Sequence, residues 1–471
     1  MAKSFDIIKV FKSISLSVLA NLVVTCASIV TTLILPKFIP VDQYGYWQLY
    51  LFYTTYVGLF HLGINDGIYL RYGGQDYTKL DFGLMQAMLK CLAIIQFVIA
   101  LVIIAIVNIF SYRSNLTIIY SLICCMILTN IRYFFIYLLQ ATNRIKEFAL
   151  VTVIDKIIFI VLFLILLLQK QSAVAVIIAD LSGRLVSLII SAYYCKELLF
   201  SYNDYDSFKI KSELESNVIC GSKLLLANLA SSCIIGIMRY GIQRQWDIET
   251  FGKISLMLSI SNFFVIFINA VGVVLYPLLK RFDNEEKQLV FKNINLLFSD
   301  LLIFSLVMYY PIVGFVKWWL PQYSDYLQYI LLLYPLYIFE GKTSLLYNTY
   351  LKVYRKERII FAVNIICVVL SIMVTFINAI YMKNLFFMVL SIFTLLGIRC
   401  YSELIYIELY LKDLSITQHF CEILILILFV VINSILQDQT ACILTVIIIA
   451  LYQLFQKQYI HKAILNLKKM I

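Results

Sequence analysis

LANLVVTCASIVTTLILPKFIPVDQYG, residues 19–45, and LANLASSCIIGIMRYGIQRQWDIETFG, residues 226–252, are the two stretches that decide the fold. They align without a gap at a spacing of 207 residues. LANL repeats whole, Cys26 meets Cys233, Lys37 meets Arg244, Asp42 meets Glu249, and Tyr44-Gly45 meets Phe251-Gly252. A shared apolar tetrapeptide alone carries little in a chain this rich in leucine. The charge and glycine matches beyond it carry the likeness through a whole apolar run and the turn that follows. The chain reads as an internal duplication.

The surroundings set the class. Of 471 residues, 62% are hydrophobic and 14% charged, with a mean hydropathy of +0.90. A fold in water would need far more polar surface to cover its core. Apolar runs recur along the whole chain, each long enough to cross a hydrocarbon layer of about 30 Å as a helix. The expectation is an all-α polytopic membrane protein with about 14 transmembrane helices. The spans are placed at about 14–35, 45–69, 84–109, 116–139, 148–168, 173–195, 217–239, 252–277, 293–316, 327–350, 359–381, 385–410, 419–436 and 441–457. The first is too long for a signal-peptide core, and it ends in Pro36-Lys37 without a small-residue cleavage pattern, so it stays.

Six expected spans separate the repeated positions. An even number gives both copies the same orientation, with a pseudo-symmetry axis along the membrane normal. Two six-helix lobes facing a central cleft follow, an alternating-access architecture. The divisions are an N-terminal lobe at 1–200, a cytoplasmic connector at 201–216, a C-terminal lobe at 217–412, and two extra helices with a basic tail at 413–471. With both termini in the cytoplasm, Lys and Arg fall roughly three to one on the cytoplasmic side, as positive-inside bias requires.

Several function classes drop out. The net charge of +11 lies in short connectors and forms no stripe, which argues against nucleic acid. The 11 cysteines sit mostly inside apolar spans, with no CxxC pair, so they read as small buried side chains. Neither GxxxxGK[ST] nor HExxH occurs, and nothing points to a metal or another cofactor. The four tryptophans, Trp47, Trp246, Trp318 and Trp319, are expected in the outer interfacial belt.

Ionisable groups inside or beside spans carry the functional question, because each costs at least a few kcal/mol unless it meets a partner or a wet cavity. They include Asp66, Lys90, Arg132, Asp155, Lys156, Arg184, Lys223, Arg239, Asp300, Lys342, Arg399 and Glu403. For Lys90, Asp155, Lys156, Arg399 and Glu403 the plainest expectation is snorkelling or an ion pair. The duplicated spans weigh more. Asn21 and Asn228 are equivalent in the repeat, Lys223 lies near Asn228, and Arg239 closes the same span. His61 and Asn65 share a face, Asp66 adjoins them, and Gly63, Gly67 and Arg71 follow at four-residue steps. The expected cavity set is Arg71, Lys223, Arg239, Asn21, Asn228, His61, Asn65 and Asp66.

LPK after the first span, YGYW opening the second and LGINDGIYLRYGGQDY closing it, within residues 33–77, resemble bacterial O-antigen and polysaccharide flippases. The resemblance implies the two-lobed, MATE-like fold of the multidrug/oligosaccharidyl-lipid/polysaccharide exporter superfamily. It implies a bacterial inner-membrane carrier that moves an undecaprenyl-diphosphate-linked oligosaccharide from the cytoplasmic to the periplasmic leaflet. Its implied partners are that lipid-linked sugar, membrane lipid, H+ or Na+ as coupling ion, and other polysaccharide-assembly membrane proteins. Arg71, Lys223 and Arg239 are then the groups expected to attract the diphosphate or an acidic sugar. Two alternatives stay open. A drug exporter of the same fold calls for an acidic cation site in the N-terminal lobe, where Asp66 is the candidate. A membrane glycosyltransferase or polymerase calls for a sizeable periplasmic loop, and the longest, around RYGIQRQWDIETFGK, is short.

Overall fold

The computed structural model describes residues 7–109, 116–169, 172–201, 207–265, 268, 279, 282–412 and 416–470. Nearly all of them are helical. Nine helices among the described residues are long and apolar enough to cross a membrane, and Leu22–Phe38 and His419–Ile435 form shorter apolar segments. The chain divides into two compact units, Met1–Leu229 and Ala230–Ile471. The division falls inside a long helix, C-terminal to the 201–216 connector read from the sequence.

In the first unit α1 (Ile7–Phe38) leads into α2 (Val41–Thr54), with Pro40 before the first turn of α2. Proline suits that place because it fixes φ and lacks an N–H that would go unbonded there anyway. The span expected over 45–69 is not one helix. After α2 come a 3-10 turn, Val57–His61, and then α3 (Ile64–Arg71). Leu62 and Gly63 between them have φ of 55° and 85°. A glycine is needed at 63, since a Cβ there would sit 2.6 Å from the Ser222 backbone nitrogen of α9 (Ser207–Gln245). Gly67 packs equally tightly on Asn217 of α9.

A broken span in lipid must find partners for the backbone groups it frees. Here they come from α4 (Phe82–Ile109) and α5 (Leu116–Ala141). Gln96 donates to the Phe60 carbonyl at 2.7 Å, and Asn130 donates to the Val57 carbonyl at 3.0 Å and to Gln96 Oε1 at 2.8 Å. Asn65 in turn donates to the Asn130 carbonyl at 2.9 Å. Asn130→Leu is therefore expected to lower stability by about 1–2 kcal/mol, since it orphans two buried acceptors. Thermal unfolding in detergent checks this.

The remaining helices of the unit, α6 (Ile145–Gln169) and α7 (Ala173–Tyr194), pack on each other and on α1 and α5. Trp47 does not join an interfacial belt. It is buried, stacked on Tyr50 and Phe159 at 5.6 and 5.9 Å.

The second unit opens with the end of α9 and α10 (Ile248–Ser261), whose first turn is capped by Asp247 accepting from the Thr250 N–H at 2.7 Å. Both helix boundaries repeat the spacing seen in the sequence. α1 and α9 end at residues 38 and 245, and α2 and α10 run 41–54 and 248–261. Next come α11 (Asn284–Phe304) and α12 (Tyr309–Trp319). A 3-10 turn, Ser305–Met308, joins them, and tyrosine hydroxyls take up the freed carbonyls: Tyr337 donates to Leu302 at 2.7 Å and Tyr334 to Ser305 at 2.9 Å.

The span expected over 327–350 is also broken. Pro335, which cannot donate to the preceding turn, separates α13 (Leu327–Leu333) from α14 (Leu336–Gly341), and a π-helical turn, Lys342–Tyr347, precedes α15 (Asn348–Val353). α16 (Glu357–Ile377) and α17 (Leu385–Leu411) are continuous. The expected span over 252–277 lies partly outside the described residues.

The last two helices, α18 (Ile416–Ile435) and α19 (Asp438–Met470), are bonded into this unit. Lys342 Nζ lies 2.6 Å from Glu422 of α18, and both side chains are buried. Tyr310 of α12 donates to Thr445 of α19 at 2.7 Å, and His419 meets Glu408 at 2.6 Å.

Candidate substrate cavity

A cavity of about 350 Å³ lies within the first unit, walled by α1, α5, α6 and α7. Its polar lining is concentrated on three consecutive helices. Arg132 comes from α5, Asp155 and Lys156 from α6, and Arg184 from α7, with Tyr133, Tyr137, Gln140 and Thr152 beside them. Besides these residues α5 carries no other charge, α6 only Lys146 and Glu147 in its first turn, and α7 only Asp180.

The charges are ordered. Arg132 Nη1 donates to Asp155 Oδ2 at 2.7 Å and to Ser187 Oγ at 3.1 Å, and Ser187 donates on to the Val151 carbonyl. Arg184 holds Asp180 through Nε at 2.7 Å and also donates to Thr129 at 2.9 Å. Tyr50 donates a further bond to Asp180 at 2.8 Å. Both carboxylates are thus engaged by a guanidinium. Lys156 lies 3.7 Å from Asp155, beyond hydrogen-bond reach of an oxygen that Arg132 already holds. Three cations against two carboxylates leave the cluster with a surplus of one positive charge, and Lys156 carries the least compensated share.

The residues singled out from the sequence are spread more widely. His61, Asn65 and Asp66 come together, buried. His61 Nδ1 accepts from the Gly63 N–H at 3.1 Å, and its Nε2 faces Asp66 at 3.7 Å. Arg71 is partly exposed and lies against α9, with Nη1 at 2.6 Å from Glu213 and 3.0 Å from Asn217. Tyr72 donates to the same Glu213 oxygen at 2.6 Å. Lys223 and Asn228 are exposed on α9. Arg239, in the second unit, donates to Ser255 at 2.9 Å and lies over the Phe251 ring. Asn21 belongs to α1, and its side chain lies outside the described residues. None of the seven with described side chains is in the cavity lining.

Arg132, Lys156 and Arg184 were visible in the sequence as charges within spans, but not as a group. Two signals pointed to them. Asp180 and Arg184 stand four apart on one helical face, and three successive spans each carry a base.

Compared with solved structures, the chain is similar to the lipid II flippase MurJ in its inward closed conformation, with a TM-score of 0.58 at 14% identity over 96% of this chain and 99% of that one. It is also similar to a MATE multidrug resistance transporter of the MOP superfamily. The inward-facing form matches with a TM-score of 0.56 at 14% identity, covering 84% of this chain and 98% of that one. The outward-facing form matches with 0.53 at 11%, covering 85% and 96%. The fold is the one these solved structures share. No protein-family model matches the sequence, and no curated protein does. Among the described residues, nine helices are long and apolar enough to cross a membrane, which makes the chain a multi-pass membrane protein.

Proposed function

We propose that this chain is a flippase that moves undecaprenyl-diphosphate-linked O-antigen or polysaccharide repeat units from the cytoplasmic to the periplasmic leaflet of the bacterial inner membrane. The observation that carries the reading is the net positive cavity formed by Arg132, Lys156 and Arg184. A lipid-linked diphosphate keeps its tail in lipid while its charged head crosses. The head loses hydration on the way, and charge-assisted bonds from Lys and Arg offset that loss. Arg71, Lys223 and Arg239 remain proposed as further points of attraction for the head group. The resemblance of residues 33–77 to polysaccharide flippases supplies the substrate class, and the fold it shares with a lipid II flippase supports it.

A drug exporter of the same fold is the alternative. Cationic drugs call for an uncompensated acid in the N-terminal unit. At the cavity Asp155 and Asp180 are both held at 2.7 Å by arginine, which favours an anionic cargo there. Asp66, the acid the drug-exporter reading calls for, is not in the cavity lining and faces His61 at 3.7 Å. The deciding experiment is the sidedness of lipid-linked repeat units in cells lacking the chain. Units should accumulate in the cytoplasmic leaflet. Their undisturbed appearance on the periplasmic side defeats the flippase reading.

A further inference from the structure

The second unit contains a buried charge imbalance that the substrate cavity does not use. Glu403 of α17 is fully buried, and Arg399, one turn earlier, is nearly so. Arg399 Nη1 donates to Glu340 of α14 at 3.2 Å. Its Nε faces Glu403 Oε1 across 3.8 Å, too far for a hydrogen bond. Neither Glu403 oxygen, nor Arg399 Nε, makes a hydrogen bond to any described residue. One guanidinium therefore serves two carboxylates, and the nearer one is Glu340.

The neighbouring charges do not repair the balance. Lys342, on the turn after α14, is paired with Glu422 of α18 at 2.6 Å, and His419 of α18 with Glu408 of α17 at 2.6 Å. Among the described residues, the thiols of Cys367 on α16 and Cys400 on α17 also lie within electrostatic reach. The Glu340–Arg399–Glu403 group thus carries one net negative charge in a setting where an unbonded carboxylate is strongly disfavoured.

We propose that Glu403 is an exchangeable proton-binding site, held in a charge-balanced triad with Arg399 and Glu340. One proton on Glu403 brings the triad to neutrality and turns an unbonded acceptor into a donor. Glu340, whose side chain is about a quarter exposed, connects the buried group to the surface and gives the proton a way in and out. Interior carboxylates of membrane helices that alternate between protonated and ionised forms are the usual elements of proton relays. Proton binding stands on this geometry alone. The further role, that the bound proton drives substrate movement, rests on the transport reading above.

Infrared difference spectroscopy of the purified full chain between acid and alkaline buffer tests the site. The wild type should show, beside the bands of its other carboxyls, a carboxylic-acid C=O component that shifts in deuterium oxide, and Glu403→Gln should remove that component. Glu340→Gln, a change at a partly exposed position, should abolish it as well, because Arg399 then balances Glu403 without a proton. A spectrum unchanged by Glu403→Gln overturns the proposal. A band lost in Glu403→Gln but kept in Glu340→Gln overturns the shared-guanidinium origin. In proteoliposomes supplied with a fluorescent short-chain prenyl-diphosphate disaccharide, an imposed pH gradient should speed transbilayer movement in the wild type, and not in Glu403→Gln. Vesicles that move no such lipid while the purified protein keeps its band defeat the proposed substrate and leave the proton site standing.

Discussion

Glu422→Leu is expected to destabilise the chain by about 3–5 kcal/mol, the cost typical of leaving one partner of a buried ion pair without the other. Lys342 and Glu422 are 1% and 3% exposed, and their charged atoms lie 2.6 Å apart. Removing the carboxylate strands an ammonium, only 1% exposed, at the head of the π-helical turn. Lys342→Met combined with Glu422→Leu should recover most of the loss, because two apolar side chains of similar volume carry no unbalanced charge. The measurement is thermal unfolding of the single and double variants in detergent. A single variant as stable as the wild type would show that the pair does not hold α18 in place.

The second large effect concerns export. Lys156→Gln should lower the flux of lipid-linked units by about 10- to 100-fold, the loss of a charge-assisted bond worth about 1.5–3 kcal/mol. Stability should change little, since Lys156 is the weaker partner of Asp155. Arg132→Gln differs. It breaks the 2.7 Å bond to Asp155 and the bond to Ser187, so folding and export should fall together. Sidedness of the lipid-linked units and protein yield, measured side by side, separate the two outcomes. Equal flux in Lys156→Gln and wild type would remove the cavity from the transport path.

The sequence made the helical membrane architecture plain, because runs of about 20 apolar residues admit few other readings. The duplication was visible too, since the Asp42/Glu249 and Gly45/Gly252 matches survive in a background of interchangeable aliphatics. The breaks within spans were harder to read. The carbonyls freed beside Leu62-Gly63 are satisfied by Gln96 and Asn130, and those freed between α11 and α12 by tyrosine hydroxyls, all from helices distant in sequence. The candidate cavity was the least legible. Arg132, Asp155 and Arg184 are separated by 23 to 55 positions from the partners they meet across helices. Arg71 looked exposed to an incoming anion, yet an acid 142 residues away occupies it.

The matched ends of α1 and α9, and of α2 and α10, have a consequence for how such a chain tolerates change. One copy begins its second helix with the locked ring of Pro40, the other with the carboxylate of Asp247. The hinge kept its length while exchanging its chemistry. Adding or removing a single residue at either joint would turn every later side chain of that helix by about 100°, whereas trading one starter residue for the other leaves each side chain facing its own neighbours.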